Sequence, residues 1–188
     1  VLIDRKHEYD SYMAVKDLHI TERIIYFDRE SGYKISKFYD GSRNADPKNK
    51  EEMGRCMELL KSLHDKNIKV DHSFDIAERI EYYTKLCNES GGISFEDVSF
   101  VQKNMQVLLD VLDQMKSHKC LCHIDSVADN FIITADNRIK LIDWEYAGMA
   151  EPIIDVAMCS IYSYYDKDEA NALLESYLQR KPTDLEYK

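Results

Sequence analysis

Two carboxylates and an amide, Asp125, Asn130 and Asp143, stand within residues 121–149 at the spacing that phosphoryl transfer requires. Moving a nucleotide's terminal phosphoryl takes a carboxylate beside the acceptor hydroxyl, a metal bridging the phosphates, and oxygen ligands for that metal. An HxDxxxxN run, His123 through Asp125 to Asn130, followed by Leu141-Ile142-Asp143, supplies those residue types in that order. HxD alone, or DxxxxN alone, is common, because Asp and Asn favour turns. Their combination with Asp-Trp-Glu-Tyr at 143–146 is much rarer.

Short apolar runs must position these groups. Residues 120–123, 131–134 and 139–142 read as strands, the last two joined by the turn formers of 135–138, so the polar residues lie at strand ends. Asp143 then falls where a protein kinase carries the Asp of its DFG. Upstream, residues 4–18 read as a helix, and 23–27 and 33–39 as a hairpin around Asp28-Arg29-Glu30-Ser31-Gly32. Asp46-Pro47 reads as N-cap and first-turn proline of a helix whose Met53, Cys56, Met57, Leu60 and Leu63 recur at helical spacing as core. Helices are predicted over 75–86 and 96–116, broken by Asn88-Glu89-Ser90-Gly91-Gly92. Val98, Val101, Met105, Leu108, Leu112 and Met115 form the expected buried face of the second. A last helix is predicted over 169–178, with Pro182-Thr183-Asp184 opening a further segment.

The 188 residues are 44% hydrophobic, enough for a sizeable core, and 25 basic against 35 acidic residues give a net charge of −10. That balance argues against nucleic acid as a partner. Neither a membrane-length apolar run nor a charged-then-apolar leader is present, so a soluble cytoplasmic protein is expected. The five cysteines, Cys56, Cys87, Cys120, Cys122 and Cys159, read as reduced thiols, mostly within helices or strands. Cys120-x-Cys122-His123 lacks a second ligand pair at zinc-finger spacing, so no structural metal is predicted. His64, His72 and His118 read as structural or exposed.

HIDSVADNF at 123–131 and KLIDWEYAGMAEPIIDVA at 140–157 resemble the choline and ethanolamine kinase family, its bacterial choline kinases in particular, within the wider group that includes aminoglycoside phosphotransferases. The resemblance implies an α+β, protein-kinase-like fold: a partial small lobe over 1–43, made of a helix and a β-hairpin, and a mostly helical large lobe over 44–188 with a small catalytic β-hairpin. It implies ATP and magnesium, and choline as the substrate phosphorylated to phosphocholine, with ethanolamine or an aminoglycoside as alternative acceptors. Carried over by motif, Asp125 is the base at the substrate hydroxyl, His123 braces the catalytic loop, and Asn130 and Asp143 hold magnesium, with Glu145 joining the metal or its waters. Asp155 resembles the acid that pins the loop; an ordinary first-turn helix acid is the other reading. Glu8 aligns with the helix acid that pairs with the nucleotide lysine, or is a solvated helix acid. Phe38 and Tyr39 fall at the hinge against the adenine. Trp144, Tyr146 and Tyr162, with Tyr164 and Tyr165 nearby, are candidates to hold a quaternary ammonium, or serve packing.

The sequence departs from that pattern in places. Ala128 stands where many relatives carry Pro, so this loop is expected to be less rigid. There is no GxGxxG, no GxxxxGK[ST] and no VAIK-like strand upstream of Glu8. The phosphate-covering hairpin and its lysine are therefore expected to lie outside these residues, and the 188 residues alone to turn over little. A non-catalytic choline- or nucleotide-binding module is the reading from a different class.

Overall fold

The computed structural model describes residues 3–114, 118–183 and 186–187. Met115, Lys116 and Asp184, named in the expected helix end and final segment, lie outside the described residues. The chain forms two compact units, residues 1–74 with 119–188, and residues 75–118.

In the larger unit, helix α1 (Arg5–Val15) starts at Asp4, whose carboxylate accepts from the Lys6 and His7 backbone N–H groups. Glu8, Ser11, Tyr12 and Val15 recur at helical spacing and form its buried face, two of the four being polar. A 3-10 turn, Lys16–Leu18, carries the chain to His19 in the left-handed region. Strands β1 (Ile24–Phe27) and β2 (Lys34–Ser36) then pair antiparallel. Gly32 turns the hairpin at φ +76°, and a Cβ there would come within 2.5 Å of the Arg5 side chain.

Helix α2 (Lys50–Asp65) begins later than Asp46-Pro47 suggests. Asn49 is the N-cap, accepting from Glu51 and Glu52 N–H, because Asp46 is held in a turn: its N–H donates to Glu52 and its carboxylate accepts from Lys48 N–H. Met53, Cys56, Met57, Leu60 and Leu63 are all buried as the spacing predicts. They pack with Leu173, Leu174 and Tyr177 of helix α6 (Lys167–Leu178), which a capping box at Asp166 and Glu169 starts two residues before the expected point.

Strand β4 (Cys120–Cys122) and the hairpin β5 (Phe131–Ile133) with β6 (Ile139–Leu141) form where the apolar runs lie. Two strands were not expected. β3 (Arg43–Asn44) adds an edge to β5, and β7 (Gly148–Ala150) pairs with β4. Both are too short or too Gly/Ala-rich to carry a strand signal, and only their partners create them. Gly148 lets the Ser73–Phe74 backbone lie close on the other side of β7, where Ser73 bridges Met149; a Cβ would meet that backbone at 3.1 Å. Helix α5 (Ile153–Tyr162) follows directly.

The second unit holds α3 (Ile76–Glu89), capped by Asp75, and α4 (Val98–Gln114). Both predicted helices form, α3 running into the expected break as far as Glu89, but the apolar face of α4 is not buried: Val101 and Leu108 are more than half exposed and Leu112 is 49% exposed. No residue of this unit whose burial is described is buried. A helical stripe buries only against an opposing surface, and two helices supply little of one. No helix among the described residues is long and apolar enough to cross a membrane.

Candidate active site

Asp155, at the first turn of α5, organises the loop that follows β4. Its carboxylate is fully buried and accepts the His123 N–H at 2.9 Å and the Ile124 N–H at 2.7 Å, with His64 Nε2 at 3.0 Å. Ser126 Oγ donates to the Asp155 carbonyl at 2.6 Å. These bonds hold Ile124 in the left-handed region, φ +71°, which a β-branched residue does not adopt by preference. Burial by itself would raise the Asp155 pKa; the His64 bond and the backbone donors outweigh it and leave it lowered.

His123 is wholly buried, and that burial lowers its pKa, keeping the imidazole neutral. Nε2 faces the Ile142 carbonyl at 2.9 Å, and a carbonyl can only accept, so Nε2 carries the proton. Nδ1 has no partner among the described residues. The ring thereby ties the end of β4 to the end of β6, with Trp144 packed edge-on at 4.9 Å.

The 3-10 turn Ala128–Asn130 brings the amide back to the acid. Asn130 Nδ2 donates to Asp125 Oδ2 at 2.9 Å and to the Asp125 carbonyl at 2.8 Å. Asn130 Oδ1 has no hydrogen-bond donor among the described residues. The Asn130 carbonyl accepts from Ile142 N–H at 2.9 Å, so the residue before Asp143 is tied to the residue that ends the 3-10 turn. Asp143 sits at φ +67°, and its N–H donates to the Tyr12 hydroxyl at 3.2 Å. Its carboxylate has no hydrogen-bond or ionic partner among the described residues. Two oxygen donors, Asn130 Oδ1 and the Asp143 carboxylate, beside a half-buried Asp125 suit a hard cation completed by phosphate and water.

Glu8, on α1, is 2% exposed and both its oxygens are engaged, by Arg5 at 2.6 Å and Lys34 at 3.2 Å. Arg5 also reaches Glu145 at 3.1 Å, so one Glu145 oxygen is committed to an ion pair. Lys34 donates to the Tyr12 hydroxyl at 2.7 Å, and that hydroxyl donates to Glu22 at 2.6 Å. Burial first, then the Glu22 charge, raises the Tyr12 pKa and keeps the phenol protonated. Arg5, Tyr12, Glu22 and Lys34 all escaped the sequence reading, whereas His64, read as structural or exposed, is buried between Asp155 and Tyr177. A lone Lys on a strand and a Tyr on a helix look like surface and core until the chain closes on itself.

The aromatic candidates do not converge. Trp144 requires a correction: it is fully buried in the main core, with Nε1 donating to the Leu141 carbonyl at 2.9 Å, so its ring cannot meet a ligand. Burial of the largest apolar ring of the segment, against Tyr12 and His123, outweighs its exposure to a pocket. Tyr146 is half-buried against the small cluster of Cys120, Cys122, Ile124 and Ala150, Tyr162 is 59% exposed on α5, and Tyr164 is exposed. The Tyr165 hydroxyl donates to the Pro47 carbonyl. At the hinge Phe38 is 83% exposed, while the Tyr39 hydroxyl accepts from Arg23 N–H at 3.3 Å.

Of the cysteines, Cys87 is exposed and the other four are buried, all as free thiols. Tertiary folding sets Cys120 and Cys122 beside His64 rather than His123, with ligand atoms within 4.8 Å of one another. Both His64 nitrogens are already bonded, to Asp155 and to Tyr177 Oη.

Residues 27–186 match the phosphotransferase enzyme family. The chain is 24% identical over 184 residues to protein LicA of Haemophilus influenzae, covering 94% of this chain and 67% of that protein. Among solved structures it is similar to choline kinase LicA from Streptococcus pneumoniae, with a TM-score of 0.86, 26% identity, and coverage of 98% of this chain and 66% of that one. LicA in complex with AMP matches at a TM-score of 0.85 and 26% identity, over 98% of this chain and 65% of that one. The chain thus spans about two thirds of the length of these relatives.

Proposed function

The chain belongs to the phosphotransferase enzyme family, with its protein-kinase-like fold, and from that premise we propose that it carries the catalytic lobe of a kinase transferring the terminal phosphoryl of ATP to the hydroxyl of choline. The observation that carries this reading is the bond from the Asn130 amide to the Asp125 carboxylate, backed by the bond from Ile142 N–H to the Asn130 carbonyl. Together they hold a base, an amide oxygen and the strand leading to Asp143 as one piece. Asp125 Oδ1, the oxygen not bonded to Asn130, orients the choline hydroxyl and takes its proton. Asn130 Oδ1 and Asp143 are the residues that would hold magnesium, and Glu145 has one oxygen left for its waters. Bound there, the metal would neutralise charge developing on the transferred phosphoryl.

Residues 1–43 act in this reading as part of the small lobe and 44–188 as the large lobe. The exposed Phe38 ring flanks the adenine and Glu8 anchors Lys34 at the nucleotide side. Choline, ahead of ethanolamine or an aminoglycoside, is supported by the likeness to a choline kinase at 26% identity over nearly the whole chain. Tyr146 and Tyr162 remain the aromatic candidates for the ammonium.

One observation favours a second reading, a choline- or nucleotide-binding module without turnover. Arg5 and Lys34 occupy both Glu8 oxygens and leave no free acid for a separate nucleotide lysine. ADP release under saturating magnesium and ATP, with choline, ethanolamine and an aminoglycoside as acceptors, separates the readings. Choline-dependent ADP release that Asp125→Ala abolishes supports the kinase; calorimetric choline binding with no ADP release from any acceptor supports the module. Faster release with the aminoglycoside than with choline would overturn the acceptor assignment.

A further inference from the structure

A cavity of about 480 Å³ opens between the end of α1, the segment leading into β1, the hinge and the β5–β6 hairpin. Its charged lining is one-sided: Lys16, Arg23, Lys37, Arg138 and Lys140 face a single carboxylate, Glu22. Glu22 is already engaged by Tyr12 and Thr21, each at 2.6 Å, and by Lys34 at 3.6 Å, so it does not neutralise the other five. Arg138 pairs with Asp136 at 2.6 Å, but Lys16, Arg23 and Lys37 form no ion pair among the described residues. In a chain with ten more acids than bases, three cations without an acid partner around one hollow, Lys37 resting over the Tyr39 ring at 5.2 Å, are not what random surface pairing would leave.

Lys140 is the most telling of the five. It is 6% exposed, and the partner of its ammonium is the His19 carbonyl, a neutral dipole rather than an acid. A buried ammonium with no acid in ion-pair contact is costly; burial, with the Arg138 and Lys37 charges, lowers its pKa against the longer-range pull of Asp136 and Glu22. An anion entering the cavity would supply the missing charge to Lys140 and the rim cations at once. We infer that this cavity is a binding site for a small organic phosphate, its phosphate held by Lys16, Arg23 and Lys140 and its apolar body lying against Met13, Ile24 and Tyr39.

None of Asp125, Asn130 and Asp143 lines this cavity, although the hinge residue Tyr39 and the Tyr12 that bonds Asp143 N–H both do. Lys34, in β2, bonds Glu8, whereas Lys37, one residue past the end of β2, lines the cavity. Tyr12 and Glu22 form the wall between the two. The cavity falls within the volume range of small-ligand pockets, roughly 300–1,000 Å³. Outside it the chain is net acidic, so an extended polyanion such as a nucleic acid or an anionic membrane would be repelled beyond the few cations that attract it.

The test is titration of the 15N-labelled protein with phenyl phosphate, followed by amide chemical shifts, with phenol and inorganic phosphate in parallel. Phenyl phosphate is expected to move the amides of residues 21–24 and 138–140 with half-saturation below about 1 mM, and phenol to move none. The double variant Lys16→Glu/Arg23→Glu, both exposed positions, is expected to weaken binding at least about tenfold while its remaining spectrum stays unchanged. Lys140→Gln should weaken it as well, and a fold check on that buried site is made from the same spectra. Shifts confined to Asp125, Asn130 and Asp143, or no shifts at about 10 mM phenyl phosphate, would overturn the inference. So would silence toward phenyl phosphate combined with binding to phosphatidylglycerol vesicles.

Discussion

Asp125 does its proposed work only because Asn130 fixes one of its oxygens, and that pairing sets the first prediction. Asp125→Ala should lower kcat by about 10²–10⁴-fold with nucleotide affinity nearly unchanged, as measured by ADP release beside calorimetric nucleotide binding. Asp155 touches no substrate in this reading, yet its loss should cost more in stability. Asp155→Ala would strand two backbone N–H groups and the His64 ring, and should destabilise the fold by about 3–5 kcal/mol in urea unfolding. His123 gives the pH dependence. Its folded pKa lies below its unfolded value of about 6.5, so the unfolded chain binds the extra proton first as pH falls. Stability from the buried neutral ring is therefore full above about pH 6.5 and declines as pH drops toward the folded pKa. Asp155, also lowered, adds an acid loss below about pH 4, where the unfolded carboxyl takes its proton. Unfolding midpoints between pH 8 and pH 3 should thus fall on the acid side only, and a rise toward acid would contradict the buried neutral His123.

The helices divide sharply by what they pack against, although their sequences look alike. α2 and α4 both carry apolar stripes at helical spacing, but α2 lies against α6 and β-sheet residues while α4 leaves its stripe exposed. Leu60→Ala in α2 should cost about 2–5 kcal/mol, because a fully buried side chain is deleted and a cavity remains. Leu108→Lys in α4, at 64% exposure, should stay within about 0.5 kcal/mol of the parent. Urea midpoints of the two variants give the comparison, and equal losses would show that the α4 stripe is covered in solution. Periodicity identified both helices, since 3.6-residue spacing is a property of the segment itself. It said nothing about burial, which is a property of the neighbour.

At the scale of the molecule, one hydroxyl ties the start of the chain to the candidate metal site. Tyr12 Oη accepts from Asp143 N–H and from Lys34 and donates to Glu22, joining α1, the β1–β2 hairpin and the loop after β6. Tyr12→Phe should take one hydrogen-bond partner from buried Glu22 and from half-buried Lys34 and Asp143, lower stability by about 1–3 kcal/mol, and raise the magnesium concentration needed for half-maximal nucleotide binding several-fold. An unchanged magnesium requirement would mean that Asp143 is held without Tyr12. What the sequence determined by itself were the local matters: strands 120–122, 131–133 and 139–141, the helices and their periodicity, and the order Asp125, Asn130, Asp143. These are set by side-chain type and spacing over a few residues. Tertiary structure decided everything that needed two distant segments at once. It brought Asp155 and His64 under the loop that follows β4, turned Trp144 into the core, created β3 and β7 by pairing, gave Glu8 the ammonium of Lys34, and gathered five cations around one cavity. The reason is physical: a hydrogen bond, an ion pair or a buried face is a relation between two surfaces, and no stretch of sequence contains more than one of them.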